Sequence, residues 1–382
     1  MNADVEHQSR KPRSAYIHVP FCLHRCGYCD FTLVANRDHL IPQYLQSLET
    51  ELSQLDGGVE VDTLFVGGGT PTHLSSDQLK QLFTLLQRYV RLASGGEFSV
   101  EANPDGLDQG RMQTLAEFGV NRISLGVQSF DDQCLKLLER QHRQDDAISA
   151  VQLASRYVSN VSLDLIFGVP GQTEDSWQKT LRIATSLPVH HVSTYGLTWE
   201  KGTSFHRRLS NGQLCRVAEE TERNQYLFAI AHLSSSGFRH YEVSNFARPQ
   251  FECHHNLVYW KGNGYYAFGP GAARYINGRR STNIRSVPKW MRAVNAGEAF
   301  LEESECLTPE EKAREAIMLG LRLRDGIELE EFQRRYERSV QEIEPIALQR
   351  YLDTGLLEQI NGRLRLTVDG LLLADTVTSD FL

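Results

Sequence analysis

Six short apolar runs punctuate the first half of the chain: Ala15–Val19, Asp62–Gly67, Glu97–Glu101, Arg122–Gly126, Val161–Phe167 and His191–Gly196. Helix-like stretches separate them. Strands that alternate with helices are joined by crossovers into a parallel sheet, and few other architectures accept that order. The stretch from Asp77 to Tyr89 illustrates the pattern, with Leu79, Leu82, Phe83, Leu86 and Tyr89 recurring at helical spacing behind a Ser/Asp cap. Six units are too few for an eight-stranded barrel. The fold class is therefore read as α/β, a partial (β/α)6 barrel, whose functional site is expected at the carboxyl ends of the strands.

The unusual residues fall at those ends. After the first run comes a loop with Cys22, Cys26 and Cys29 at CxxxCxxC spacing. A [4Fe–4S] cube normally takes four thiolates, so three local cysteines suggest a cube with one iron left open. An open coordination position can hold a small molecule by its own donor atoms. Zinc and inert thiols compete with this reading, although zinc more usually takes paired CxxC units or Cys/His pairs. A disulfide framework does not suit a chain of 382 residues with seven cysteines. The second run ends in Gly67-Gly68-Gly69-Thr70-Pro71-Thr72, where missing side chains let backbone amides approach a polar ligand or simply make a tight loop. Glu101, Gln128 and Asp164 each place one polar side chain on or just after an otherwise apolar run.

The string CxxxCxYC resembles the cluster loop of radical S-adenosylmethionine (radical SAM) proteins. The longer Tyr16-Ile17-His18-Val19-Pro20-Phe21-Cys22 is similar to the oxygen-independent coproporphyrinogen III oxidase family, which includes haem chaperones. The resemblance implies a radical SAM barrel. In it Cys22, Cys26 and Cys29 hold a [4Fe–4S] cluster, and SAM chelates the open iron through its amino and carboxylate groups. Tyr28 would pack beside the adenine, and the family's GGGTPT segment would contact the methionine part of SAM. Glu101, Gln128, Arg140 and Asp164 are implied SAM contacts, with Tyr16, Gly68, Gly69, Thr70 and Gly196 nearby. No catalytic residue is assigned. Two departures stand out: Glu139 where the family usually has Gly, and Ala273 where it usually has His.

Two functions follow from the resemblance. One is a haem chaperone that binds haem and passes it to an acceptor protein; the other is the oxidase that decarboxylates two propionates of coproporphyrinogen III. The oxidases carry CxxxCxxCxC, and Phe31 stands at the fourth cysteine's place. The chain before Cys22 is also short beside the oxidases' longer arm. His255–Trp260 matches the HNxxYW motif associated with the chaperones. His255 is therefore the candidate haem contact, with the adjacent His254 and Cys253 also able to ligate; the alternative is that the motif only locks this segment onto the barrel. These features favour the chaperone.

A net charge of −8 and a pI near 5.9 argue against a nucleic-acid surface. No apolar run reaches the roughly 18 to 20 residues that span a bilayer. Met1–Arg13 is polar, without the apolar core of a signal peptide, so a cytoplasmic location is expected. Three regions are expected: the barrel over 14–200, an extension with the HNxxYW motif over 201–304, and a smaller unit over 305–382. The extension opens on a helix predicted over Gln213–Leu233. In the last unit, Thr308-Pro309-Glu310-Glu311 is a capping box for a helix to about Arg324. Asn361-Gly362 marks a type I′ hairpin between Leu356–Ile360 and Arg363–Leu366. Helices followed by a hairpin suggest a winged-helix-like domain; it lacks a basic stripe and is read as a lid or partner surface.

Overall fold

The computed structural model describes residues 11–382; most of the polar stretch Met1–Arg13 lies outside the described residues. Strands β1 (Ser14–Val19), β2 (Val59–Gly68), β3 (Val90–Ala102), β4 (Arg122–Gln128), β5 (Asn160–Phe167) and β6 (His191–Gly196) stand side by side in chain order. All five pairings are parallel. This is the expected partial (β/α)6 barrel. The central strands are buried almost throughout, as parallel strands covered on both faces must be.

Later segments complete the sheet at both edges. Strand β7 (Arg239–Glu242) pairs antiparallel with β8 (Asn245–Ala247), β8 pairs antiparallel with β6, and β9 (Tyr266–Phe268) runs parallel to β1. The sheet thus has nine strands, with edge pairing supplied from beyond the alternating region. The core behind it includes the fully buried Phe21, Tyr44, Phe83, Trp177, Phe246 and Trp290. A smaller apolar cluster gathers Leu138, Val169, Trp199, Phe205 and Leu214, with Tyr28 packed against it.

Several boundaries differ from the sequence expectation, each for a tertiary reason. Strand β3 begins at Val90 rather than Glu97, and its register against β2 passes from Val61–Leu92 to Thr63–Glu97. The intervening residues bulge out through Gly95, which adopts φ +75°. The helix predicted over Gln213–Leu233 starts at Glu219, because Leu214 is drawn into the smaller apolar cluster. The helix capped by Thr308 stops at Gly320. Beyond it the Arg322 carbonyl accepts from Val243 N and Arg324 N donates to the Tyr241 carbonyl, each at 3.0 Å, tying the C-terminal unit to the barrel.

The predicted capping box forms, with Glu311 N donating to Thr308 Oγ1 at 3.2 Å and Thr308 N to Glu311 Oε2 at 2.7 Å. The hairpin also forms, Leu357–Ile360 against Arg363–Leu366, with Asn361 at φ 51° and Gly362 at φ 75°. Ile327–Glu328 adds a third strand beside it, and the helices Leu329–Tyr336 and Pro345–Asp353 pack alongside, a winged-helix-like arrangement.

Candidate functional site

A cavity of about 1340 Å³ opens at the carboxyl ends of β1 to β6. Cys22, Cys26 and Cys29 all line it, with Gly68, Gly69, Thr70, Glu101, Gln128, Arg140, Asp164 and Gly196. The local chain explains this convergence. The cysteine loop leaves β1 and is stitched to the glycine run, Gly69 N donating to the Val19 carbonyl and Thr70 N to the Phe21 carbonyl, both at 2.8 Å. Gly68 has φ +113°, and a Cβ there would lie 2.5 Å from the His18 ring, so only glycine fits.

A chain of polar contacts then crosses the strand ends. Cys22 Sγ lies 3.2 Å from Thr70 Oγ1, which accepts from Asn103 Nδ2 at 2.9 Å. Asn103 Oδ1 accepts from Arg140 at 2.6 Å, and Arg140 also donates to the Gly126 carbonyl at 2.8 Å and approaches Cys26 Sγ at 3.7 Å. Glu101 Oε2 accepts from Gly68 N at 2.8 Å. Asp164 accepts from Ser124 Oγ at 3.2 Å. Gln128 reaches the wall because β4 slips register against β5 at its end, leaving Gln128 at φ 67°.

Burial sets the electrostatics. It pushes the Glu101 carboxyl up to about 7, against the pull of the Gly68 amide, and raises Asp164 also. It pushes the Cys22 thiol up to about 11, and Cys29 rises for the same reason. Thiols of that kind bind metal only by giving up a proton, so metal loading and deprotonation are coupled here.

The donor set suits the implied groups. A cube takes each thiolate on a different iron, and Cys22, Cys26 and Cys29 stand together on one loop of the cavity wall. Among the described residues no three His, Cys, Asp or Glu side chains converge as ligands of a single ion. Glu101 offers an acceptor for an ammonium group. Arg140 Nε is buried without a partner, an open donor beside the cysteine loop.

Two expected residues lie off the cavity wall. Tyr16 stacks on Phe65 with ring centroids 6.1 Å apart, and its hydroxyl meets His18 Nδ1 at 3.1 Å. His255 is 1 % exposed. Its Nδ1 pairs with Thr63 Oγ1 at 2.8 Å and its Nε2 with Tyr259 OH at 2.9 Å. The helix it sits on, His254–Trp260, is held by Glu97, which accepts from His254 N at 2.8 Å and His255 N at 3.1 Å. In this arrangement the HNxxYW residues tie that helix to β2 and β3.

Other wall residues went unassigned in the sequence. Asn103 stands two positions after Glu101, hence on the same strand face, a signal that was available. Tyr195, Trp199, Arg216, Arg322 and Leu371–Thr376 also line the cavity, and nothing local in their sequence marks them.

Residues 16–184 match the radical SAM superfamily, and residues 307–373 match the HemN C-terminal domain. The chain is 37% identical over 375 residues to the heme chaperone HemW of Bacillus subtilis, covering 97% of this chain and 99% of that protein. It is 35% identical to the heme chaperone HemW of Lactococcus lactis, covering 98% of each. The chain belongs to the HemW family. Its HemW fold is shared with the radical SAM enzyme coproporphyrinogen III oxidase HemN from Escherichia coli. The TM-score is 0.86 at 22% identity, covering 100% of this chain and 93% of the other. Among the described residues of this HemW-family chain, no helix is long and apolar enough to cross a membrane.

Proposed function

We propose that this protein is a haem chaperone: it binds haem, carries a SAM-coordinated [4Fe–4S] cluster, and passes the haem to an acceptor protein. The observation that carries the reading is identity of 37% along 97% of the chain to a protein named as a heme chaperone. Cys22, Cys26 and Cys29 would hold the cluster. SAM would lie over Gly68–Thr70, with Glu101, Gln128, Arg140 and Asp164 as its polar partners and Gly196 beside it. Bound there, the cluster would supply one-electron chemistry toward SAM. The chain's own residues fix the methionine end of SAM through Glu101 and keep Cys22 and Cys26 in place through Thr70 and Arg140.

The oxidase reading has the shared fold in its favour. Against it, Phe31 occupies the fourth cysteine's position in the oxidase pattern, and it sits on the cavity wall, 62% exposed. The test is an anaerobic assay with reductant, SAM and coproporphyrinogen III, paired with haem titration followed by Soret absorbance. Haem binding without protoporphyrinogen formation is expected. Enzyme-like turnover would overturn the chaperone reading.

A further inference from the structure

We propose that haem occupies the outer end of the cavity with its two propionates held by Arg216 and Arg322, an inference that rests on the haem-chaperone reading above. Cavities that take one small molecule measure about 300–1,000 Å³, and this one is larger at about 1340 Å³. The groups assigned to SAM occupy its inner end, at and just beyond the termini of β2 to β6. The outer end is built differently. Tyr195 stands near the end of β6 and Trp199 just after it, Tyr226 comes from the helix Glu219–Ser235, and Leu371–Leu373 belong to the C-terminal unit; all line the wall. Tyr195 is 41% exposed and Leu373 48% exposed, so large apolar surface stands uncovered there. Aromatic and leucine side chains suit the faces of a planar macrocycle, whose carboxylates then require cations.

Two guanidiniums stand on this wall. Arg216 is exposed and lies over the Trp199 ring at 5.9 Å; no side-chain hydrogen bond holds it among the described residues, and its charge acts on the Glu222 carboxyl. Arg322 lies over the Trp260 ring at 4.7 Å, and its Nε is buried without a partner. Its ion pair within 4 Å is with Asp375 at 3.5 Å, a side chain 96% exposed and free to move aside, and its charge also acts on the buried Glu242 carboxyl. A guanidinium held over an indole face by cation–π attraction still has N–H donors to offer a carboxylate. The wall also carries Glu219, Glu220, Glu222 and Asp375, so without these arginines the outer end would repel a dianionic ligand. His255 offers no competing handle, because both of its ring nitrogens are paired away from the cavity.

The test is a set of Soret titrations of reconstituted, SAM-loaded protein with haem and with haem dimethyl ester, in wild type, Arg216→Gln and Arg322→Gln. Wild type is expected to bind the ester at least tenfold more weakly than haem. Each variant is expected to lose about tenfold in haem affinity, as removal of a charge-assisted contact implies, and to discriminate less between the two ligands. Iron content and SAM binding report whether the fold survives. Arg322 packs on Trp260 and its variant could lose iron, so the exposed Arg216 and the ester comparison decide the matter in that event. Equal affinity of wild type for haem and ester, with Arg216→Gln behaving as wild type, would overturn the propionate site and leave the chaperone reading standing. No haem binding by wild type would overturn both.

Discussion

Cys22 Sγ and Thr70 Oγ1 lie 3.2 Å apart although 48 residues separate them in the chain. The sequence carried both halves of that contact as separate motifs, and folding brought them together. The three cysteines were legible because loop spacing alone holds them near one another. Anaerobic reconstitution of a Cys22→Ala/Cys26→Ala/Cys29→Ala variant should leave no brown chromophore, since the thiolates that hold the irons are gone; full iron retention would remove the cluster from this loop. Glu101 was legible as a carboxylate on an apolar strand. Glu101→Ala should keep the cluster but weaken SAM binding by about 1.5 to 3 kcal/mol, the range of a charge-assisted hydrogen bond. Calorimetry giving the wild-type affinity would contradict the SAM assignment. Glu139 adopts φ 58° where the family usually has Gly, and it pairs with Arg208 at 3.2 Å. That ion pair joins the segment after Leu138 to the helix Ser204–Ser210 beside the cysteine loop.

At the scale of elements, the helix His254–Trp260 shows what a motif leaves open. Histidine, tyrosine and tryptophan close together suit a porphyrin face and suit a structural lock equally well on residue type. The choice depends on Glu97, about 160 residues earlier, whose carboxylate accepts from the first two helix amides. Glu97 Oε1 also takes the Ser99 hydroxyl at 3.1 Å, and Cys253 Sγ lies 3.6 Å away. Glu97→Gln keeps the shape but weakens the charge-assisted bonds. Amide exchange over residues 254–260 should then become faster, with local stability falling by roughly 1 to 3 kcal/mol. Exchange identical to wild type would mean that the helix is held by its packing alone. The barrel helices, by contrast, were readable from their own pattern, as Ser76–Tyr89 shows with the Ser75–Gln78 capping box at its start.

At the scale of the whole molecule, burial leaves a pH signature. Glu51 and Glu101 are pushed up to about 7 and Glu242 to about 6, from the ordinary 4.5, by burial in each case. Such a carboxyl binds a proton in the folded protein at a pH where the unfolded chain has released it. Its contribution is therefore present at low pH and is lost as pH rises from about 4.5 to 7. The buried His18, His240 and His255, lowered to about 4, act in the opposite sense below their ordinary 6.5, so the wild-type curve is a sum of both. Glu51→Gln isolates one contribution. Urea denaturation of metal-free protein at pH 5, 6 and 7 should show the variant gaining on wild type as pH rises. A constant difference would mean that Glu51 is already ionised in the fold.

The sequence by itself determined the alternation of strands and helices, the cysteine loop, the capping box and the hairpin. Each depends on residues within a few positions of one another, where periodicity and turn chemistry act directly. The tertiary structure alone decided which segments complete the sheet edges, that Arg322 and Leu371–Thr376 reach the cavity, and that both nitrogens of His255 are paired. Those outcomes depend on contacts between residues tens to hundreds of positions apart, and no local pattern encodes which buried group will meet which.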